Sequence, residues 1–301
     1  MSAARDWADL LRVSALCTAP GDALAGAAAA GLRPGGCTAL AAGASMCLYG
    51  AGMALNDWAD REEDAVDRPH RPLPSGRITS GQALAAAVAL TAAGVGLALA
   101  AGRPAGLTAA TLAGTAWAYD LRLKHTPAGP AAMAATRALD LLLGAIATTG
   151  SPAHAGRRGP AVRRALLPAA ALGAHTLSVT AVSRTETRGG APGTALVALG
   201  ATAVISVLVA RGPASSTAGT SRALARSGLA GVYAATAGVP LLHAALNPSP
   251  PLSQRAVSGG IRAVIPLQAA LTARSGPLTA AALLTALAPV ARRLARKVSP
   301  T

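Results

Sequence analysis

The chain has 301 residues, of which 52% are hydrophobic and 13% are charged, and its formal net charge is +15. Abundant apolar residues exclude an intrinsically disordered chain, and three cysteines are too few for a disulfide-stapled secreted domain. We expect no nucleic-acid partner despite the basic charge, because the chain has no Phe, three Trp and three Tyr, which leaves few surfaces for base stacking.

Long stretches with little or no charge recur along the chain. A soluble bundle would carry charged residues on its outer helix faces, yet the residues from Gln82 to Gly102 carry none. A helix needs about 20 apolar residues to cross a bilayer core. The stronger runs cover residues 36–55, 82–101, 104–119, 165–183, 191–210 and 227–246, and the weaker ones cover 13–32, 128–150 and 263–291. The pattern predicts an all-α polytopic membrane protein with about nine transmembrane helices in a single domain over residues 1–301.

The N-terminus and the loops give the expected topology. Arg5, Asp6 and Asp9 do not fit a cleavable signal peptide. Basic residues fall in loops on both sides, so they do not set the orientation. If the helices alternate, four aromatic residues lie at one interface: Trp7, Trp58, Trp117 and Tyr119.

Acidic residues are scarce and concentrated. Half of the 12 acidic residues lie between Asp57 and Asp67, where an apolar run ends. If the helix continues, Asp57, Asp60 and Asp64 share one face. Three adjacent carboxylates repel one another unless a cation lies between them, and hard oxygen ligands suit Mg²⁺. Arg68, Arg71 and Arg77 follow and could bind phosphates; the alternative is a solvated loop of mixed charge.

The segment from Asn56 to Arg77 resembles the first aspartate-rich motif of the UbiA superfamily of intramembrane prenyltransferases. The matching positions are Asn56, Asp57, Asp60, Asp64, Arg71, Pro72 and Gly76. The segment Tyr119–Lys124 is similar to a Tyr…Lys loop segment found in several branches. The amino-acid sequence around Arg137 and Ser183 is most similar to the EboC-like branch of the superfamily.

The resemblance implies an activity and a set of site residues. Members bind an isoprenyl diphosphate through Mg²⁺, ionise it to an allylic cation and let an acceptor attack that cation. The implied catalytic residues are Asp57, Asp60, Asp64 and Lys124, the implied metal ligands are Asp57, Asp60, Asp64 and Glu186, and the implied substrate contacts are Asn56, Arg68, Arg71, Tyr119, Arg137 and Arg184. The acceptor is unidentified. The resemblance further implies a multi-pass protein of the plasma membrane whose active site faces the cytoplasm.

The chain departs from the family in its second aspartate-rich motif. The corresponding loop, Ser183–Gly190, offers Glu186 as its one carboxylate. Either Glu186 completes a reduced metal site, or Arg184 and Arg188 replace metal charge, or the loop simply forms a salt bridge.

Three polar residues inside apolar runs are also candidates. Arg137 contacts phosphate or pairs with Asp140, three residues later. Asp22 touches the acceptor or solvates a helix break. We expect His175 to be a hydrogen-bonded packing residue.

Two other functions remain open. A terpene cyclase would quench the cation with the substrate's own double bonds, although aromatic residues that stabilise cations are few. A non-catalytic membrane protein that binds a lipid-linked diphosphate would tolerate loss of the second motif.

Overall fold

The structure is a computed structural model that describes residues 3–16, 18–154, 156–185, 191–211 and 219–286, with residue 289. These residues are mostly helical and contain no strand, which confirms the predicted all-α fold. Alanine, which dominates the apolar runs, has the highest helix propensity of the amino acids.

Twelve α-helices in the described ranges are numbered in chain order. They are α1 (Ala3–Leu10), α2 (Val13–Leu16), α3 (Ala19–Ala29), α4 (Gly36–Ala59), α5 (Arg61–Asp67), α6 (Ser80–Ala100), α7 (Arg103–Ala118), α8 (Gly129–Thr148), α9 (Arg158–Ser183), α10 (Pro192–Arg211), α11 (Thr220–Leu246) and α12 (Pro250–Ser275). A π-helical turn, Tyr119–Leu123, follows α7, a 3₁₀ turn, Pro152–His154, follows α8, and residues 278–286 are also helical.

Seven of the described helices are long and apolar enough to cross a membrane, namely α4, α6 and α8 to α12. Helix α3 has 11 residues and α7 has 16. At a rise of about 1.5 Å per residue, neither crosses a core of about 30 Å by itself. A multi-pass membrane protein is therefore confirmed, whereas the count of nine is not.

The long helices, together with α3 and α7, form a closed ring. Each of α3, α4 and α6 to α12 contacts the next one in this series, and α12 contacts α3. Most connections are short, and the contacts of Asn56 with Asp120 and of Arg184 with Thr126 bring the ends of α4, α7 and α9 together, so consecutive helices run antiparallel. We call the end where α4, α7, α9 and α11 finish the site end, and the other the opposite end.

Glycines allow α3 and α8 to approach closely. A Cβ added at Gly26 would lie 2.0 Å from the carbonyl oxygen of Leu141, and one added at Gly144 would lie 2.4 Å from the backbone of Ala23. Small residues permit such backbone contact between membrane helices. This contact holds α3 against α8 around the buried polar residues described below.

The prediction of one helix over residues 263–291 is wrong. Helix α12 begins 13 residues earlier and ends at Ser275. Arg255 and Arg262 weakened the apolar signal of its first half, but both occupy exposed positions. Pro277 disfavours helical geometry in the residue before it, which is extended here.

The run 13–32 is also interrupted. It contains α2 and α3 rather than one helix. Pro20 starts α3, as proline favours the first turn of a helix. Gly31 follows α3 with a φ of +70°, a conformation that glycine adopts without strain.

The proline-rich turn between α5 and α6 is folded back on itself. The backbone N–H of Ile78 donates to the carbonyl of Pro72 at 3.1 Å, and Gly76 has a φ of +73°. Arg77 Nη1 lies 2.5 Å from Asp6 Oδ1, which ties the turn to α1.

The tryptophans support the predicted common interface. Trp7, Trp58 and Trp117 all pack against one apolar cluster that includes Leu10 and Ile78. This cluster holds α1 and the proline-rich turn over the site end of the bundle.

Candidate active site

Two buried carboxylates face one guanidinium group at the site end. Arg71 Nη1 lies 2.5 Å from Asp64 Oδ2 and 3.5 Å from Asp57 Oδ1, and both aspartates are at most 5% exposed. Arg12 Nη2 is 2.9 Å from Asp57 Oδ1, and Arg68 Nη1 is 3.6 Å from Asp64 Oδ1. Removing a carboxylate from water is costly unless a positive charge lies beside it. These arginines supply that charge.

The third predicted carboxylate points elsewhere. Helices α4 and α5 meet at Asp60, whose backbone is close to helical (φ −88°, ψ 6°). Asp57 and Asp64 therefore stay on one side of the segment, while Asp60 forms an ion pair with Lys124. The charge of Asp60 still acts on Asp57, so the three carboxylates remain neighbours while Lys124 pairs with the third.

Asp60 has two further neighbours with metal-ligating atoms. One ligand atom each from Asp60, Glu63 and His125 lies within 4.8 Å of the other two. Asp60 is half-buried and the other two residues are exposed. The connection after α7 thus reaches the aspartate-rich segment through both Lys124 and His125.

The π-helical turn adds a third contact to this segment. Asn56 Nδ2 donates to Asp120 Oδ1 at 3.2 Å. Burial raises the pKa of Asp120 to about 6, against the opposing effects of the Asn56 hydrogen bond and the nearby Lys124 charge. Burial, with the charges of Asp120 and Asp60, also raises the pKa of Tyr119.

The end of α9 approaches the same turn. Arg184 Nη1 donates to the carbonyl oxygen of Thr126, and its positive charge acts on Tyr119. The structure therefore brings Arg184, Tyr119 and Lys124 to one end of the bundle. Glu186 lies outside the described residues, so its role as a ligand remains a prediction.

Arg137 belongs to a separate polar layer. Its Nη1 lies 2.5 Å from Asp22 Oδ2, and its Nη2 donates to Thr18 Oγ1 at 3.3 Å. Gln268 Nε2 donates to Asp22 Oδ1 at 2.6 Å, and the guanidinium lies 5.8 Å from the ring of Tyr49. Asp22 is completely buried, so water does not solvate its carboxylate at a helix break.

This layer is deeper than the first carboxylates. Tyr49 precedes Asp57 by eight residues of α4, a rise of about 12 Å. The structure therefore does not bring Arg137 to the aspartate-rich segment. Asp140 accepts from Ser45 and acts on Arg137 through its charge, while the direct ion pair of Arg137 is with Asp22, which the close contact of α3 with α8 supplies.

His175 lies among packed helices, as expected. Its Nδ1 is 3.1 Å from Tyr233 Oη, and its Nε2 is 3.0 Å from the carbonyl oxygen of Gly260. Both ring nitrogens therefore have partners from other helices, and His175 links α9 to α11 and α12.

Sequence reasoning missed three neighbours of the aspartates. Arg12 is a single charge before the first apolar run, and its φ of +47° is uncommon for a residue with a side chain. His125 directly follows the Tyr119–Lys124 segment, and Glu63 lies inside the acidic segment. Their closeness in the sequence to the predicted site segments could have indicated them as site residues. The fold is needed to show which aspartate each one approaches.

The donor set fits a magnesium ion. Asp57 and Asp64 already hold a positive group, Arg71, between them, so this position favours a cation. Asp60 adds a third carboxylate on the same segment. Carboxylate oxygens are the protein ligands that Mg²⁺ prefers, usually one or two together with substrate phosphates.

A closed ring of helices, seven of them long and apolar enough to cross a membrane, defines an integral, multi-pass membrane protein with buried carboxylates and cationic side chains at one end. Residues 14–256 match the model of the UbiA prenyltransferase family, and the chain belongs to this family.

Parts of the chain are similar to characterised members. It is 39% identical over 111 residues to digeranylgeranylglyceryl phosphate synthase of Ignicoccus hospitalis, a match that covers 36% of this chain and 37% of that protein. It is 42% identical over 92 residues to the bacteriochlorophyll synthase 33 kDa chain of Rhodobacter capsulatus, which covers 28% of each chain. The matches thus span between a quarter and two fifths of these relatives.

Two solved structures share the fold. A UbiA homologue from Aeropyrum pernix superposes with a TM-score of 0.64 at 17% identity, over 85% of this chain and 96% of that one. A digeranylgeranylglyceryl phosphate synthase structure gives a TM-score of 0.57 at 17% identity, over 91% and 99% of the two chains.

Proposed function

We propose that this protein is an Mg²⁺-dependent intramembrane prenyltransferase, which moves an isoprenyl group from an isoprenyl diphosphate to an unidentified acceptor. One observation carries the proposal: Asp57 and Asp64 converge on Arg71 at one end of a membrane bundle. Carboxylates for a metal and arginines for phosphate thus occur together, which is what binding a diphosphate through a metal requires.

We assign charge compensation to the residues around the aspartates. Mg²⁺ held by Asp57, Asp60 and Asp64 would neutralise the charge that develops on the leaving diphosphate. Arg68, whose side chain is 53% exposed, reaches a phosphate oxygen without leaving a buried carboxylate unpaired. Lys124 adds a second cation from the π-helical turn side of the site.

Five further residues complete the proposed substrate contacts. Arg71 and Asn56 face the diphosphate from the aspartate-rich segment. Tyr119 and Arg184 approach from the turn after α7 and from the end of α9. Arg137 contacts the substrate from the deeper layer, where its side chain is 14% exposed.

The reaction follows from this arrangement. The C–O bond to the diphosphate breaks, and its electron pair leaves with the diphosphate. The allylic cation then forms a bond to a nucleophilic atom of the acceptor, which loses a proton. The helices around the site keep water from capturing the cation.

The test is the mass of the product. Membranes that contain the protein are incubated with a labelled isoprenyl diphosphate, and the labelled lipids are analysed by mass spectrometry, with Asp57→Asn membranes as the control. A product whose mass includes an acceptor supports the transferase. A labelled product without an acceptor would instead indicate a terpene cyclase, and retained binding without turnover would indicate a non-catalytic diphosphate-binding protein.

We also propose a finer placement of the protein. We assign residues 1–301 to one domain of the EboC-like branch, from the sequence around Arg137 and Ser183, and we place the site end at the cytoplasmic face of the plasma membrane. Reporter fusions in the loops near residues 62–75, 122–126 and 185–190 should all report the cytoplasm. If the fusions in the first and third loops reported opposite sides of the membrane, these loops could not form a single site.

A further inference from the structure

The opposite end of the bundle is basic. Exposed arginines lie at the ends of α6 to α10 or in the connections between helices there, and none of them forms an ion pair within the described residues. They are Arg33, Arg103, Arg157, Arg158, Arg163, Arg164 and Arg211.

No carboxylate of the described chain lies at that end. Asp22 and Asp140 are buried inside the bundle. The other described acidic residues belong to α1, to the end of α4, to α5 and to the π-helical turn, all at the site end. The positive charge of the opposite end therefore has no counter-charge among the described residues.

A cavity of about 370 Å³ lies at this end, in the connection between α8 and α9. Its lining combines hydroxyls, small residues and one guanidinium: Thr149, Gly150, Ser151, Pro152, Gly156 and Arg158. Arg158 Nε donates to Thr149 Oγ1 at 3.3 Å, which leaves its Nη1 and Nη2 groups for a ligand. Gly150, Pro152 and Gly156 are exposed, so the cavity opens to the surface.

The position of the cavity at the ends of membrane-spanning helices matches the depth of lipid headgroups. The cavity is formed where one membrane-spanning helix, α8, ends and the next, α9, begins. The connection before α7 closes one side, because a Cβ at Gly150 would lie 2.0 Å from the carbonyl oxygen of Ala101. Arg103, at the start of α7, therefore lies near the same connection.

The helices beside the cavity present apolar side chains deeper in the membrane. On α9, Leu166 and Leu167 are 52% and 44% exposed, a little over two turns beyond Arg158. On α7, Leu107 is 70% exposed, one turn beyond Arg103. Cationic groups at the interface with exposed leucines below them match a phosphate that carries acyl chains.

We propose that this cavity binds the headgroup of an anionic phospholipid. The phosphate is held by Arg158 and the hydroxyls of Thr149 and Ser151, and the acyl chains lie along Leu107 and Leu166. The neighbouring arginines add long-range attraction to a negatively charged lipid. This site is separate from the proposed transfer reaction, because it lies at the other end of the bundle.

Native mass spectrometry of the purified full-length protein tests the proposal. The protein is titrated with phosphatidylglycerol or phosphatidylcholine, and bound lipid is counted. We expect at least tenfold tighter binding of phosphatidylglycerol. Arg158→Gln should weaken that binding about fivefold, the usual effect of one basic group at an anionic membrane surface. The control Arg211→Gln removes an exposed arginine that lies at the same end of the bundle but outside the cavity. This control should change phosphatidylglycerol binding less than twofold.

A second pair of variants covers the case in which Arg158→Gln impairs folding. Ser151→Asp adds a negative charge to the cavity wall and should weaken phosphatidylglycerol binding about tenfold, while Ser151→Asn should leave it nearly unchanged. Equal binding of the two lipids, or equal losses in Arg158→Gln and Arg211→Gln, would overturn the proposal. Binding of inorganic phosphate alone as tightly as phosphatidylglycerol would also overturn it, since the cavity would then be a free-phosphate site.

Discussion

Both ends of this bundle carry arginines, but only the site end carries carboxylates among the described residues. At the site end Arg71, Arg12 and Lys124 each contact an aspartate. At the opposite end Arg158 contacts only a hydroxyl among its described hydrogen bonds. The same residue type therefore has two environments: at one end it pairs with buried carboxylates, and at the other no described carboxylate lies beside it.

The difference has an energetic consequence. Asp57 and Asp64 are buried, so an arginine removed beside them leaves a charge without a partner, which is strongly destabilising. The arginines of the opposite end are exposed, and their removal costs the fold little. Substitutions at the site end should thus change both turnover and stability, whereas those at the opposite end should change only binding.

The largest expected effect is on turnover at the aspartates. Asp57→Asn and Asp64→Asn keep the size of the side chain but remove its charge, and each should reduce turnover by a factor of about 10² to 10³. Asp67→Asn is the matched control, because Asp67 is an exposed carboxylate on α5, the helix that carries Asp64. The measurement is the rate of diphosphate release by the membrane-inserted protein. A control variant as impaired as the other two would show that the net charge of the loop matters, not the two buried carboxylates.

Arg71 is expected to have the next largest effect. Arg71→Gln should reduce turnover about 100-fold and lower the melting temperature, because Asp57 and Asp64 then repel each other. Arg71→Lys should recover part of both, since lysine keeps the charge but not the planar fork. Arg61→Gln is the control, as Arg61 is exposed and pairs with the exposed Glu62. Parent-like stability of Arg71→Gln would mean that this arginine does not hold the two aspartates.

A smaller effect separates the two hypotheses for the loop after α9. If Glu186 is a ligand, Glu186→Gln should raise the Mg²⁺ concentration for half-maximal rate several-fold. If Arg184 compensates the diphosphate instead, Arg184→Ala should abolish most activity, Arg184→Lys should retain part of it, and the Mg²⁺ dependence of Glu186→Gln should match the parent. Parent-like behaviour of all three variants would assign the loop a structural role.

The smallest effect concerns stability against pH. Because burial raises the pKa of Asp120 from 3.8 to about 6, the folded state binds this proton more tightly than the unfolded state. The contribution of Asp120 to stability therefore falls as the pH rises from about 4 to 6. Melting temperatures of the parent and of Asp120→Asn should diverge over this window, with the parent losing relative stability. Parallel curves would show that Asp120 titrates normally.

Much of the fold follows from the sequence because membrane helices are local patterns. The apolar runs 82–101 and 191–210 lack charged residues, and they match α6 and α10 to within two residues at each end. The start of α12 was missed because Arg255 and Arg262 interrupt its apolar pattern at exposed positions. Hydropathy along a sequence does not show which face of a helix a charge occupies.

The site was less predictable, because its contacts join distant parts of the chain. Spacing predicts that Asp57, Asp60 and Asp64 share one face, and in the structure Asp57 and Asp64 both lie beside Arg71. The partner of Asp60 is 64 residues away, and the partner of Arg137 is 115 residues away. Such pairings depend on helix packing, for which one sequence holds no direct signal.

We propose that the carboxylates at the site end serve a metal-dependent loss of diphosphate. The most direct measurement is the release of inorganic diphosphate from a labelled isoprenyl diphosphate, with and without EDTA, and after Mg²⁺ is restored. Release should stop in EDTA, return with Mg²⁺ in the parent and in Asp67→Asn, and stay absent in Asp64→Asn. Full release in a chelated, Mg²⁺-free assay would contradict the claim.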